Sequence, residues 1–222
     1  MSALYIVATP IGNLKDITLR AIEILGEVDL ILAEDTRKTS QLLSKYNISK
    51  PLESFHEHNE EKKIDHVLTM LRSGDNIAVV SDAGTPTLSD PGFKLVREVI
   101  RNEIKVVPIP GASSILASLV ASGLPTDQFT FVGYFPKKVG KQQELLTYID
   151  KALSLKPATI ILFESPFRVK KTLSLLTQRF PDKNVVFARE LTKVHEEFIR
   201  GKVSKVNEMD IKSKGEFTIL LR

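Results

Sequence analysis

Apolar residues fall in short unbroken blocks along this chain, separated by stretches in which they recur every third or fourth position. The blocks cover 4–8, 30–33, 77–80, 106–109, 129–132, 159–163, 185–188 and 217–221 and are rich in Val and Ile. A strand covered on both faces has no polar side to show, so blocks of this kind predict buried strands. Between them, Thr39, Leu42, Leu43 and Tyr46 trace one face of a helix. Ile64, Val67, Leu68 and Leu71 trace a second, and Val169, Leu173, Leu176 and Phe180 a third. Strand blocks alternating with amphipathic helices predict an α/β fold with a largely parallel sheet covered on both sides.

Breaker residues divide the pattern. Asp90-Pro91 and Ser165-Pro166 each read as a helix N-cap followed by the first helical residue. The stretch SGLPTDQ over 122–128 ends a helix-like run, SSILASLVAS, with Gly123 and Pro125, and predicts a domain boundary. The expected domains are an N-terminal α/β domain over 1–121 and a C-terminal α/β domain over 122–222. The segment FPKKVGKQQ that follows the boundary reads as a mobile basic loop.

Composition narrows the function classes. With 222 residues, 42% hydrophobic and 26% charged, the chain has ordinary globular values, which excludes general disorder and fibrous architectures. The absence of Cys excludes disulfides and thiolate metal sites and suits a reducing compartment. No apolar run approaches the roughly 18 residues of a membrane span, and the first residues lack a basic, then apolar, leader pattern. A cytoplasmic protein with no membrane partner is expected. Three of the four His lie in FHEHNEEKKIDH, but His56 and His58 are two apart, a poor spacing for one helix face, so no metal site is expected. The net charge of +4 favours a polyanionic partner only slightly.

Four turns that follow strand blocks carry candidate chemistry: ATPIGN, SDAGTPTLSDPG, PGASS and FESPFR. Open α/β sheets bind ligands beyond the carboxyl ends of their strands, and small residues let a ligand approach the main chain while Pro keeps the loop stiff. Any one of these segments also fits an ordinary βα turn. None carries a Walker Lys or a G-x-G-x-x-G, so a P-loop ATPase or a dinucleotide dehydrogenase finds no support.

Taken in order, VATPIGNL, LAEDTRKTSQLL, SDAGTPTLSDPG, PIPGASS, FESPFR and ARELTKVHEE resemble the motifs of the tetrapyrrole methylase superfamily, in its branch that methylates 16S ribosomal RNA. The resemblance spans essentially the whole chain. It implies two α/β domains of the tetrapyrrole methylase type with S-adenosylmethionine held in the cleft between them. It further implies 2'-O-methylation of a cytidine ribose in the decoding region of 16S rRNA within the small ribosomal subunit, carried out by a homodimer. Carried over by motif, the cofactor contacts are Pro10, then Ala83, Gly84, Thr85 and Leu88, then Ser113 and Ser114, and in the second domain Phe163 or Glu164 and Leu191. Porphyrin-modifying relatives have Gly-Asp-Pro where this chain has AGTP, so a hydroxyl stands in place of an acidic side chain.

A ribose hydroxyl is a poor nucleophile, and a carboxylate or imidazole that takes its proton assists the transfer. Asp35 is the first candidate for that base and His56 the second. Glu34 and Asp35 equally suit a capping role for the helix that follows. Arg37, Lys38, Lys137, Lys138, Lys141 and Arg168 are candidate contacts to RNA phosphates, with solvated lysines and an Arg168 paired to a structural carboxylate as the alternatives. Glu190 and Lys193 are expected to pair across the domain cleft. A methyltransferase of the same fold acting on a tetrapyrrole or other small molecule, or a noncatalytic ribosome-associated nucleotide-binding module, are the competing functions.

Overall fold

In the computed structural model, which describes residues 2–155 and 158–222, every apolar block is a strand. The chain forms two compact units, Met1–Ser113 and Ser114–Arg222.

The first unit runs β1 (Ala3–Val7), α1 (Leu19–Glu27), β2 (Leu30–Ala33), α2 (Thr36–Lys45), β3 (Leu52–Ser54), α3 (Glu60–Ser73), β4 (Ile77–Val80), α4 (Phe93–Arg101) and β5 (Lys105–Ile109). Its strands are all parallel, in the order β3-β2-β4-β1-β5. Successive strand side chains point to opposite faces, and both faces are dry. Leu4, Leu32, Ile77 and Val79 pack with Val67 and Leu71 of α3 and with Leu95 and Val99 of α4. Val7, Ile31, Ala78 and Val80 pack on the other side with Ala21 and Leu25 of α1 and Leu43 of α2. Each buried Val, Leu or Ile among them stabilises the unit by roughly 1.5–3 kcal/mol. Thr18 starts α1 by accepting from the Ala21 amide at 3.1 Å.

This topology makes a crevice. Strands β1 and β4 are neighbours, yet β1 leads to α1 on one face and β4 leads to α4 on the other. Loops leaving adjacent strands toward opposite faces open a gap at their carboxyl ends, where ligands of such sheets bind.

The second unit runs α5 (Ser114–Ser122), β6 (Phe129–Tyr134), α6 (Val139–Leu155), β7 (Thr159–Glu164), α7 (Val169–Arg179), β8 (Asn184–Arg189), β9 (Glu197–Lys202), α8 (Val203–Asn207) and β10 (Phe217–Leu221). The sheet order is β6-β7-β10-β8-β9. Only β6 and β7 are parallel; β10 is antiparallel to both β7 and β8, and β9 is antiparallel to β8. The expected largely parallel sheet therefore holds for the first unit and is corrected for the second, where β10 inserts between β7 and β8. Its core joins Ile160, Phe187, Ile219 and Leu221 of the strands to Ile149, Leu173, Leu176 and Val206 of the helices.

Helix α5 packs on β10 and β8, and its last carbonyls, those of Ala121 and Ser122, accept from the Arg200 guanidinium of β9 at 2.6 and 3.0 Å. The unit boundary thus precedes this helix, at 113/114 instead of 121/122. The Gly-Pro break marks a turn inside the second unit.

Two local expectations also change. Helix α4 starts at Phe93 behind Gly92, and α7 starts at Val169, so each Asp-Pro or Ser-Pro pair belongs to a turn leading into its helix. The segment FPKKVGKQQ is a fastened helix start: the buried Gln142 side chain donates to the carbonyls of Pro136 at 2.9 Å and Lys137 at 3.4 Å. Among the described residues, no helix is long and apolar enough to cross a membrane.

Candidate active site

Loops from the three adjacent strands β4, β1 and β5 are tied together at the carboxyl end of the first sheet. Thr9 and Gly84 exchange backbone hydrogen bonds of 2.8 and 3.0 Å, and the Thr9 hydroxyl donates to the Ser81 carbonyl at 3.1 Å. The Thr85 hydroxyl donates to the Ala112 carbonyl at 3.3 Å. Gly111 lies so close to Ala8 that an added Cβ would stand 3.0 Å from the Ala8 Cβ. These ties bring Pro10, Ala83, Gly84, Thr85 and Ser113 to one place, with Leu88 exposed in the same loop. Ser114 opens α5 in the second unit.

The loop from 81 to 92 is wound tightly. Gly84 at φ +85°, Thr87 at +73°, Ser89 at +67° and Gly92 at +117° all lie in the left-handed region, and two of them are not glycine. For Thr87 and Ser89 such conformations cost of order 1–3 kcal/mol each and persist where surrounding bonds over-determine them. Glu60 supplies one such bond: its buried carboxylate accepts from the Gly92 amide at 3.2 Å and from Lys94 at 3.2 Å.

Beside this loop stands a carboxylate group from the ends of β2 and β4. The Asp82 carboxylate accepts from the Asp35 amide at 2.9 Å and from Lys38 at 2.7 Å, and Glu34 accepts from the Asp82 amide at 3.4 Å. Burial, then the neighbouring Glu34, pushes Asp90 up to about 6, with Asp82 adding to the rise and the Ser81 hydroxyl opposing it. Burial, then Asp82, likewise raises Glu34.

Asp35 behaves differently. Its carboxylate caps α2 by accepting from the Arg37 amide at 2.9 Å, and it holds the Arg37 guanidinium at 2.7 and 3.0 Å. That guanidinium lowers Asp35 to about 2. Of the two expectations for Asp35, base or helix cap, the hydrogen bonds show the cap, and Arg37 and Lys38, expected on phosphates, are held by Asp35 and Asp82. His56 follows β3. Its Nε2 lies 3.2 Å from the Asn59 amide nitrogen, while its buried Nδ1 has no partner among the described residues.

In the second unit, the expected cofactor residue Glu164 is buried and fully engaged. It accepts from Arg168, from the Thr172 hydroxyl and from the Ser165 amide. Arg168 also donates to the Phe135 carbonyl at 2.6 Å. The pair braces the start of α7, which is the structural-carboxylate alternative for Arg168, while the buried Arg168 Nη1 has no partner among the described residues. Phe163 makes edge contacts with Phe131 and Tyr134, and Leu191 is buried between Glu190 and Thr192, both in left-handed conformations. Lys193 binds Glu190 and Glu216, both at 3.0 Å within this unit, which replaces the expected cross-domain pair. Lys141 pairs with Glu144 at 2.7 Å, whereas among the described residues Lys137 and Lys138 make no ion pair.

Residues 3–207 match the family described as Tetrapyrrole (Corrin/Porphyrin) Methylases. The chain belongs to this family. It is 48% identical over 223 residues to a ribosomal RNA small subunit methyltransferase I of Thermotoga maritima, covering 100% of this chain and 98% of that one. The Bacillus subtilis protein of the same name is 46% identical over 226 residues, covering 100% and 75%. Among solved structures, a diphthine synthase superposes with a TM-score of 0.77 at 16% identity over 99% of this chain and 90% of that one. The Thermus thermophilus uroporphyrin III C-methyl transferase gives 0.67 at 19% over 99% and 97%. At such identities, the superpositions establish the tetrapyrrole methylase fold.

Methyltransferases of this family use S-adenosylmethionine, and the donor set of the first unit fits it. Thr85 and Ser113 offer hydroxyls, the turn at Ala83 and Gly84 offers main chain free of bulk, and Pro10 and Leu88 offer apolar surface. Among the described residues the clustered Glu34, Asp82 and Asp90 share one cation, Lys38, and two of the three are raised, first by burial and then by their mutual charge. A positively charged ligand relieves that repulsion. The sequence reading did not place Asp90 in this cluster of carboxylates. Its Pro neighbour suggested only a cap, although two of its partners, Glu34 and Asp82, follow apolar blocks in EDTR and SDAG.

Proposed function

We propose that this protein transfers a methyl group from S-adenosylmethionine to the 2'-hydroxyl of a cytidine in the decoding region of 16S ribosomal RNA. The observation that carries the reading is the 48% identity, over the whole chain, to a relative named ribosomal RNA small subunit methyltransferase I. The cofactor supplies an activated methyl on a sulfonium. The chain supplies position, since an in-line displacement is fast when both partners are held in line. In this reading Pro10, Ala83, Gly84, Thr85, Leu88 and Ser113 hold the cofactor from the first unit, and Ser114, Phe163 and Leu191 serve from the second. Asp90, ionised above about pH 6, takes the ribose proton in place of Asp35. Lys137 and Lys138 hold RNA phosphates. A homodimer in the cytoplasm widens the surface offered to folded RNA, because specific nucleic-acid interfaces usually bury about 1,000 Å² or more.

The test is incubation with tritiated S-adenosylmethionine and three substrates: small subunits from cells lacking the modification, free 16S rRNA, and porphyrin precursors. The expected result is label in subunit 16S rRNA, at a ribose that resists alkaline cleavage. Label in the porphyrins, or on a base instead of a ribose, overturns the reading.

A further inference from the structure

Phe167 is 94% exposed and Val194 is 96% exposed, the two most exposed large apolar residues of the second unit. Their place in the sheet is not accidental. Strands β6, β7 and β8 run in the same direction, so the segments that follow them leave from one end of the sheet. Glu164 at the end of β7 and Arg189 at the end of β8 both lie opposite Phe217 of β10. Phe167 therefore rises three residues beyond one strand and Val194 five beyond the other, from strands about 10 Å apart across the intervening β10. Lys137 and Lys138 follow β6, one strand further along the same edge.

Everything beneath these tips is bolted down. Arg168 ties the Phe167 turn to Glu164 and to the Phe135 carbonyl, and Ser165 accepts from the Arg168 and Val169 amides at 3.1 Å. Below Val194, the Glu190 carboxylate accepts from the Glu216 amide at 3.0 Å and the Glu196 carboxylate from the Thr192 amide at 2.6 Å. Gly215 is required there, since a Cβ would lie 2.5 Å from the Glu190 side chain. A chain that spends a buried ion pair and two left-handed residues on fixing exposed apolar tips is presenting them to something.

Charge indicates what that is. Four carboxylates of this end are paired with cations, Glu164 with Arg168, Glu190 and Glu216 with Lys193, and Glu197 with Arg189 at 2.9 Å, while Glu196 accepts only from the Thr192 amide. Among the described residues, Lys137, Lys138, Lys212 and Lys214 form no ion pair, and His195 is exposed beside Val194. Four unpaired lysines against the one unpaired carboxylate among this end's described residues, that of Glu196, around a rigid, open phenyl ring, match an unpaired RNA nucleotide, which offers a base face to stack and phosphates to neutralise.

We propose that Phe167 is a stacking platform for an unpaired base of the RNA substrate, with Val194 beside it and Lys137 and Lys138 on the flanking phosphates. This rests on the RNA methyltransferase reading. The experiment measures KM and kcat on unmethylated small subunits, and S-adenosylmethionine affinity by calorimetry, for the wild type and for F167A, F167L and F167Y. Alanine and leucine should raise KM for the RNA about tenfold, within the range that one base–aromatic stack contributes, with kcat and cofactor affinity held and tyrosine restoring KM. An unchanged KM in F167A overturns the platform alone. Leucine matching the wild type overturns it in favour of a plain apolar, protein-type contact, and a parallel loss of cofactor affinity places Phe167 in the cofactor pocket instead. Wild-type protein that methylates no RNA overturns the underlying reading as well.

Discussion

Replacing Asp90 with Asn separates the energetic cost of the carboxylate group from its use. Carrying a carboxyl from 3.8 to about 6 on folding corresponds to ~3 kcal/mol at high pH. Water still reaches Asp90, and its screening leaves ~1–2 kcal/mol. The sign follows from which state holds the proton. Between about pH 4 and pH 6 the folded protein keeps a proton that the unfolded chain has released, so stability present below pH 4 is lost as pH rises through 6. Asp90→Asn has no such proton to lose. In urea denaturation it should match the wild type at pH 4 and exceed it by ~1–2 kcal/mol at pH 7.5. Its methylation rate should fall by about 100-fold or more, the usual scale of a lost general base, while the wild-type rate should drop about tenfold per pH unit below 6. A variant no more stable at pH 7.5 would show that Asp90 is not buried among like charges, and an active one that it takes no proton.

Asp35→Ala should lose about 1 kcal/mol of stability from the missing cap of α2, whereas Asp35→Asn should keep turnover within a few-fold; a hundredfold loss in the Asn variant would return the base role to Asp35. Gly84→Ala places a Cβ 3.2 Å from Ile11 at a φ of +85° and should cost ~1–2 kcal/mol in denaturation and weaken S-adenosylmethionine in calorimetry, an unchanged affinity removing this loop from the site. Glu164→Gln leaves the Arg168 charge without its partner and should destabilise the second unit by ~3–5 kcal/mol, read as early loss of the near-UV aromatic signal; a loss of cofactor affinity with full stability would instead make Glu164 a ligand residue.

The sequence displayed what depends on local pattern and hid what depends on partners. Blocks such as IAVV at 77–80 announced buried strands because nothing else tolerates them. The three-residue Leu52–Ser54 and the polar, edge-lying Glu197–Lys202 escaped notice, since an edge strand needs no apolar face. The small-residue loops marked the ligand end of the first sheet through their Gly and Pro. Roles of charged side chains were less legible. Asp35 lies two residues beyond one apolar block and Asp90 ten beyond another, and neither position tells its role: the Arg37 guanidinium makes one a cap, while burial and then Glu34 hold a proton near the other. For Arg168 the sequence left a phosphate contact and a structural carboxylate both open, and the structure supplies the carboxylate as Glu164 of the same motif, FESPFR.

Synthesis gives the position of β10 a meaning in time. The first sheet closes with β5 at residue 109, so its core can be complete while the second unit is still being translated. The second sheet has no such schedule. Its apolar β7 and β8 must wait for residues 217–221 to arrive between them, and until then they are open strand edges bearing Ile160, Leu162, Val185 and Phe187. Pairings between distant segments form slowly, and exposed edges invite other chains. Substitutions within Phe217–Leu221 should therefore surface in the cell first as insoluble protein, with the first unit already folded and its cofactor loops intact.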